Sequence, residues 1–238
     1  MIQEEQMNKI IIYHGSENII QTPDLKAGKK HNDYGQGFYC TQDLELAKEW
    51  ACKSETDGFA NRYELDLSEL KVLNLNSTGY TILNWIAILL RNRVFSMDAP
   101  LSIRARDYLI ENFGVDTISY DVIIGYRADD SYFSFAESFL NNSLPLQNLN
   151  KALRLGKLGE QVALVSQKAF DNLRFVEAVS VEKEIYYPKF YARDYNARLT
   201  YRQQIAKAED VLDDIFVLDI IRQEMKNDDP RIQRIVSE

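Results

Sequence analysis

The sequence predicts an α+β fold, and three observations carry that expectation. Short runs of β-branched and aromatic residues, such as Ile10-Ile11-Ile12-Tyr13 and Val122-Ile123-Ile124, read as buried strands. Longer stretches place apolar residues at helical spacing. The two kinds of segment do not alternate in the regular order that builds a parallel sheet from βαβ units. The chain has 238 residues, 45% of them hydrophobic and 27% charged, enough to bury a sizeable core without metal or disulfide support.

Taken in order, the run at residues 10–13 is a strand that ends on His14-Gly15-Ser16, and residues 22–30 carry the turn chemistry of a loop. Gly35-Gln36-Gly37 leads into a second short strand at 38–41. A helix over 44–53 follows, with Leu46, Ala47, Trp50 and Ala51 on one face. Residues 61–66 alternate as a strand does, and 71–75 continue that layer. Helices are expected over 78–94 and 101–113, and a strand over 119–125. Asp130 or Ser131 is placed to cap a helix over 132–141, with a shorter helix over 147–155. Residues 161–166 read as a strand and 168–173 as a helical turn. A long helix is expected over 196–226, striped by Ile205, Leu212, Ile215, Phe216, Leu218 and Ile220. The plausible boundary lies at 181–188, dividing a domain over 9–180 from a C-terminal helical extension over 181–238 packed on it.

Charge and composition exclude several function classes. The net charge of −8 argues against broad electrostatic attraction to nucleic acid or to an anionic membrane. The two cysteines, Cys40 and Cys52, lack metal-ligand spacing and point to reduced thiols, and two histidines are too few for a histidine-rich metal site. No metal is expected. Residues 1–9 are polar, without the apolar run of a signal peptide, and the apolar stretch at 82–90 is too short to span a bilayer. These features predict a cytoplasmic protein with no membrane partner.

Two segments carry candidate chemistry. In Tyr13-His14-Gly15-Ser16, the glycine lets a ligand approach the backbone closely and the imidazole can bond a ribose hydroxyl. A satisfied turn histidine fits the same residues. In Asp33-Tyr34-Gly35-Gln36-Gly37-Phe38-Tyr39-Cys40-Thr41, two glycines free the backbone ahead of a strand that carries Tyr39. No Gly-Lys-Ser/Thr follows, which excludes a phosphate loop. The strand comes after the glycines, which excludes a Rossmann fingerprint.

Together the segments resemble the ADP-ribosyltransferases of the diphtheria-toxin and poly(ADP-ribose) polymerase type. They are closer still to the domain of unknown function 3990 family. The matching pieces are Tyr13-His14-Gly15-Ser16, the Asp33 to Thr41 segment, the alanine- and tryptophan-bearing helix with Ala47, Trp50 and Ala51, and Ile124-Gly125-Tyr126-Arg127-Ala128-Asp129-Asp130. The resemblance spans about residues 9–175 and implies a split two-sheet core covered by helices. It also implies NAD as substrate, with mono-transfer of ADP-ribose to a protein or nucleic acid acceptor and release of nicotinamide. A catalytically weak module that binds NAD, ADP-ribose or a partner is the alternative on the same fold. A bacterial toxin–antitoxin or defence role, with a neutralising antitoxin-like protein, is implied in the same way.

By the resemblance, His14 holds the nicotinamide-side ribose, Gly15 binds the carboxamide through its backbone, and Tyr39 stacks on the nicotinamide ring. Ser16 and Gly37 join them in holding the dinucleotide. Trp50 fits either a second wall of the site or core packing. The third catalytic position of these enzymes is a glutamate on a later strand. Here the candidates are Glu160 and Gln161, of which only one can face inward. The closer family places glutamine there, which favours Gln161. A neutral amide can hold a hydroxyl but cannot act as a base.

Asp129 and Asp130 fit either an acceptor-positioning role or a helix cap. The aromatic and basic segment from Tyr186 through Arg193 to Arg198 and Arg202 fits either RNA stacking or packing on the domain. The helix after it has an apolar stripe suited to its own chain or to a homo-oligomer.

Overall fold

The structure is a computed structural model that describes residues 8–95, 97, 99–128, 130–155, 159–205 and 214–237. In chain order the elements are β1 (Lys9–Ser16), β2 (Phe38–Cys40), α1 (Leu44–Ala51), β3 (Gly58–Asp66), β4 (Val72–Asn74), α2 (Ile82–Asn92), α3 (Pro100–Phe113) and β5 (Val122–Tyr126). They continue with α4 (Asp130–Leu140), α5 (Leu146–Leu155), β6 (Glu160–Leu164), α6 (Gln167–Asp171), β7 (Leu173–Val181), α7 (Lys183–Ile205), α8 (Val217–Arg222) and α9 (Pro230–Ser237). This is a mixed α+β chain, as the sequence predicts.

The elements fall into two compact units. The first takes in Met1–Asn74, Thr117–Arg127 and Leu158–Arg193, and the second Leu75–Asp116, Ala128–Lys157 and Asp194–Glu238.

Among the described residues, the first unit holds all the strands, in two sheets. One is antiparallel with order β1-β3-β7, and the other has order β2-β6-β5-β4 with β4 parallel to β5. A single bridge joins them: Tyr13 N–H donates to the Thr41 carbonyl at 2.7 Å, and Thr41 N–H to the Tyr13 carbonyl at 2.9 Å. Strand alternation then sorts the side chains. Ile12, Tyr63 and Leu65 of the first sheet meet Phe38, Cys40, Val122, Ile124, Val162 and Leu164 of the second in one core. The odd-numbered residues of β1 face the other way, where Tyr13 packs with Ala47, Ala51, Cys52 and Ala60 under α1. Asp43 caps α1, its carboxylate accepting from the N–H groups of Glu45 and Leu46.

Helix α7 is tied to α1 by charge. The Arg193 guanidinium donates to both Glu49 oxygens at 2.7 and 2.6 Å, and the Tyr186 hydroxyl donates to Glu45 at 3.1 Å. Lys189 adds an ion pair to Glu45 at 3.7 Å. Tyr186, Lys189 and Arg193 of the aromatic and basic segment thus contact α1, while Tyr191 is exposed. The side chains of Arg198 and Arg202 lie outside the described ones.

The second unit is helical. Every residue of α2 from Ile82 to Leu90 is buried, including Asn84. That asparagine is satisfied twice over: its oxygen accepts from the Thr81 N–H at 2.7 Å, and its amide donates to the Phe113 carbonyl at 2.9 Å. Among the described residues no helix is long and apolar enough to cross a membrane.

Two expectations need correction. The helical turn ends at Asp171, and Leu173–Val181 is a strand that the sequence reading did not assign. It pairs with β3 at the sheet edge, and a register shift at Arg62/Tyr63 leaves Val176 as an extra residue on β7. That bulge breaks the period-two pattern by which a strand is recognised. The continuous helix over 196–226 is also absent. Helix α7 begins at Lys183, Phe216 is extended with φ −94° and ψ 161°, and α8 starts after it. Asp219 accepts from the Phe216 N–H at 3.0 Å, so the chain caps a new helix there. Ile215 and Ile220 of the expected stripe are buried, and Leu212 lies outside the described residues.

Candidate functional site

His14 sits near the end of β1, two residues beyond Ile12 on the same strand face, with its ring 4.3 Å from that of Phe38. Its Nδ1 lies 2.7 Å from the Tyr39 carbonyl oxygen. A carbonyl only accepts, so Nδ1 carries the proton and Nε2 is left as an acceptor in the neutral ring. Burial holds the His14 pKa below its ordinary value. The bond to Tyr39 works the other way, and the charge of Lys53 adds to the lowering. His14 is thus neutral at neutral pH.

The shift has a consequence for stability. A depressed folded pKa means that the unfolded chain binds the proton more tightly. The stabilisation is complete above the unfolded value of about 6.5 and is lost as pH falls through the folded one. Urea titrations at about pH 7 and about pH 5 should therefore show a larger loss of stability for wild type than for His14→Gln. An equal loss in both proteins would remove His14 from the pH dependence.

Gly15 follows with its Cα against α1. A Cβ there would stand 2.0 Å from the Ala47 carbonyl oxygen and 2.9 Å from the Trp50 Cβ. Backbone groups alternate between the two edges of a strand. Tyr13 gives both of its groups to Thr41, so the N–H and C=O of Gly15 face that same edge, away from β3. Ser16 spends its hydroxyl locally, donating to the Asn18 carbonyl at 2.7 Å and accepting from Asn61 at 3.0 Å.

Tyr39 lies on β2 between the core residues Phe38 and Cys40 and points to the opposite face of the sheet. Its hydroxyl donates to the Gly35 carbonyl at 2.6 Å and accepts from the Tyr34 N–H at 3.0 Å, which fixes the ring under the glycine-rich loop. The Tyr34 and Tyr39 rings are nearly parallel, 8° apart in plane with centroids 6.5 Å apart. At Gly37 a Cβ would stand 2.5 Å from the Leu164 carbonyl oxygen, so only glycine lets the loop enter β2 this close to β6.

Gln161 is buried and Glu160 exposed at the start of β6. Ala163 pairs with Tyr39, and Gln161, two residues along, shares that sheet face. The Gln161 amide nitrogen donates to Asp33 Oδ2 at 2.9 Å and to the Tyr126 carbonyl at 3.0 Å. The Tyr34 hydroxyl donates to the same carbonyl at 2.7 Å.

Trp50 is nine-tenths buried, and its indole N–H has no hydrogen-bond partner among the described residues. The Arg127 guanidinium lies 4.9 Å from its ring centroid. Lys53 is nearby in charge: burial first, then the fields of Lys29 and Arg127, push its ammonium down from the ordinary value, against a smaller opposing effect of Glu17. Asp130 is the first residue of α4, in the second unit, and Asp129 lies outside the described residues. Burial pushes the Cys40 thiol well up, away from nucleophilic use. No group of three histidine, cysteine or acidic residues suited to a metal occurs among the described residues.

The sequence reading missed Asn61, Asp33 and the role of Tyr126. Asn61 is fully buried; its amide bonds the His14 carbonyl and the Ser16 hydroxyl, and its oxygen accepts from the Ile20 N–H at 3.0 Å. One signal was present. In the alternation of β3, Asn61 falls on the same face as Tyr63 and Leu65, where a polar residue must find partners inside. For Asp33 the only signal was its place at the head of the glycine-rich segment.

No curated protein and no solved structure matches this chain. A family match covers residues 10–175, from β1 into β7, and takes in His14, Gly15, Tyr39, Trp50, Asp33 and Gln161. The chain belongs to the family described as protein of unknown function (DUF3990).

Proposed function

We propose that the first unit binds NAD beside His14 and Tyr39 and acts as an ADP-ribosyltransferase, breaking the bond between nicotinamide and ribose. The supporting observation is the 2.7 Å approach of His14 Nδ1 to the Tyr39 carbonyl, which joins the two motif segments at one place. The reading takes the two bridged sheets as the split core of that enzyme class. The edge N–H and C=O of Gly15 suit a carboxamide, which needs one acceptor and one donor. His14 Nε2 accepts from a ribose hydroxyl, the Tyr39 face meets the cationic pyridinium, and Lys29, Lys53 and Arg127 supply positive charge for the diphosphate. As the glycosidic bond breaks, nicotinamide leaves with the bonding electrons, and the acceptor's nucleophile takes its place on the ribose and loses its proton to solvent. The acceptor is a protein or nucleic acid nucleophile, or water.

Nicotinamide release from NAD tests the reading. Wild type should release it, and His14→Ala should lower kcat/KM by about 100-fold, because the ribose loses its positioning contact. Wild type that neither binds nor cleaves NAD would end the proposal. The buried, neutral Gln161 favours a second reading, a module that binds NAD without turnover. Binding in calorimetry with no nicotinamide release would identify that case.

A further inference from the structure

Gln161 has an amide whose orientation its neighbours dictate. Its Nε2 carries two N–H groups. One points to the carboxylate oxygen Oδ2 of Asp33 at 2.9 Å and the other to the Tyr126 carbonyl at 3.0 Å. Both partners accept. Turning the amide over would place Oε1 against two oxygens, losing two hydrogen bonds in a buried position. Among the described residues no donor is bonded to Oε1.

We propose that Asp33 is a positioning residue that makes Gln161 an acceptor-only group, so that position 161 recognises a ligand by a hydroxyl it donates. This rests on the dinucleotide reading above, in which the ligand hydroxyl is that of the nicotinamide ribose. An amide free to turn offers a donor as readily as an acceptor and cannot tell a hydroxyl from an ether or fluorine. With its nitrogen held, Gln161 presents a carbonyl oxygen, half of what a glutamate presents and without the charge. The holding group comes from the glycine-rich loop that also carries Tyr34 and leads into β2 with Tyr39. Folding of that loop against β6 and the polarity of position 161 are therefore set together. Tyr126 takes part through its backbone, so the end of β5 carries the second acceptor.

The test compares binding of NAD with that of an analogue bearing fluorine in place of the nicotinamide-ribose 2′-hydroxyl. Wild type should prefer NAD by about 10-fold, the worth of one hydrogen bond to a buried acceptor. Asp33→Leu, which removes the acceptor at similar volume, should shrink that preference, whereas a purely structural role would weaken both ligands alike and keep the ratio. An unchanged ratio in folded Asp33→Leu overturns the proposal. Hydrogen exchange of the Gln161 side-chain amide, followed by nitrogen-15 NMR on unliganded wild type, needs neither a variant nor NAD binding. Slow exchange of both Nε2 protons supports the held amide, even if the dinucleotide reading fails because NAD does not bind. Rapid exchange of either proton overturns it, whatever NAD does.

Discussion

Gly15→Ala is expected to destabilise the protein by about 3 kcal/mol, at the upper end of overpacking costs. The added methyl carbon would stand 2.0 Å from the Ala47 carbonyl oxygen and 2.7 Å from the Ala51 nitrogen, and both are backbone atoms of α1. A side chain could rotate away; a helix backbone has to move as a unit. The helix is held from the other side by the Arg193–Glu49 pair and pinned at its start by the Asp43 cap. Moving it opens the cluster of Ala47, Ala51, Cys52 and Ala60, whose small side chains allow the close approach. Against a typical total stability of about 5–15 kcal/mol, the loss is large. Urea unfolding of the purified variant measures it. Adding Ala47→Gly should give no relief, because the obstructing atom is the carbonyl oxygen. Full stability in Gly15→Ala, or rescue by Ala47→Gly, contradicts this account. The glycine thus answers to helix packing with its Cα and, in the functional reading, to a carboxamide with its edge N–H and C=O.

How far the sequence disclosed this arrangement depends on the range of each interaction. The β1 and β2 strands and α1 were legible because their signals are local: a β-branched run, a glycine pair before an aromatic strand, an aspartate cap before a helical stripe. β7 was not, because its bulge shifts the alternation by one residue and its outer face is exposed, so neither period nor hydrophobicity marks it. The break near Phe216 was hidden in a run whose apolar spacing fits one helix, although the cap that starts α8 reaches only three residues ahead. At the site, His14, Gly15 and Tyr39 stood out through their motifs, while the partners that constrain them did not. Gln161 meets Asp33 across 128 positions of chain and Tyr126 across 35. No periodicity reports such a pairing. It emerges only once β6 lies beside both β2 and β5.

That pairing makes Gln161→Glu the other strongly destabilising change, although it restores the glutamate expected of a histidine–tyrosine–glutamate site. The substitution exchanges two N–H donors for carboxylate oxygen. One oxygen would face Asp33 Oδ2 and the Tyr126 carbonyl across the separations of 2.9 and 3.0 Å that the hydrogen bonds now span. Position 161 is buried, so water cannot relieve the repulsion. A buried charge without a partner costs about 3–5 kcal/mol, and the new carboxyl should escape part of this by holding its proton. Its folded pKa would then lie above its unfolded one, so the stability deficit should be full at neutral pH and shrink as pH falls toward the unfolded value of about 4.3. Urea midpoints at about pH 7 and about pH 5 test this, and a variant as stable as wild type at both would show that the loop does not hold Asp33 against β6. Asp33→Asn in the same chain should recover much of the loss, since its amide can donate to the new carboxylate. It follows that nicotinamide release should not rise in Gln161→Glu alone. Any gain from the added charge is expected only in the double variant, where that charge has a partner and the loop keeps its place over Tyr39.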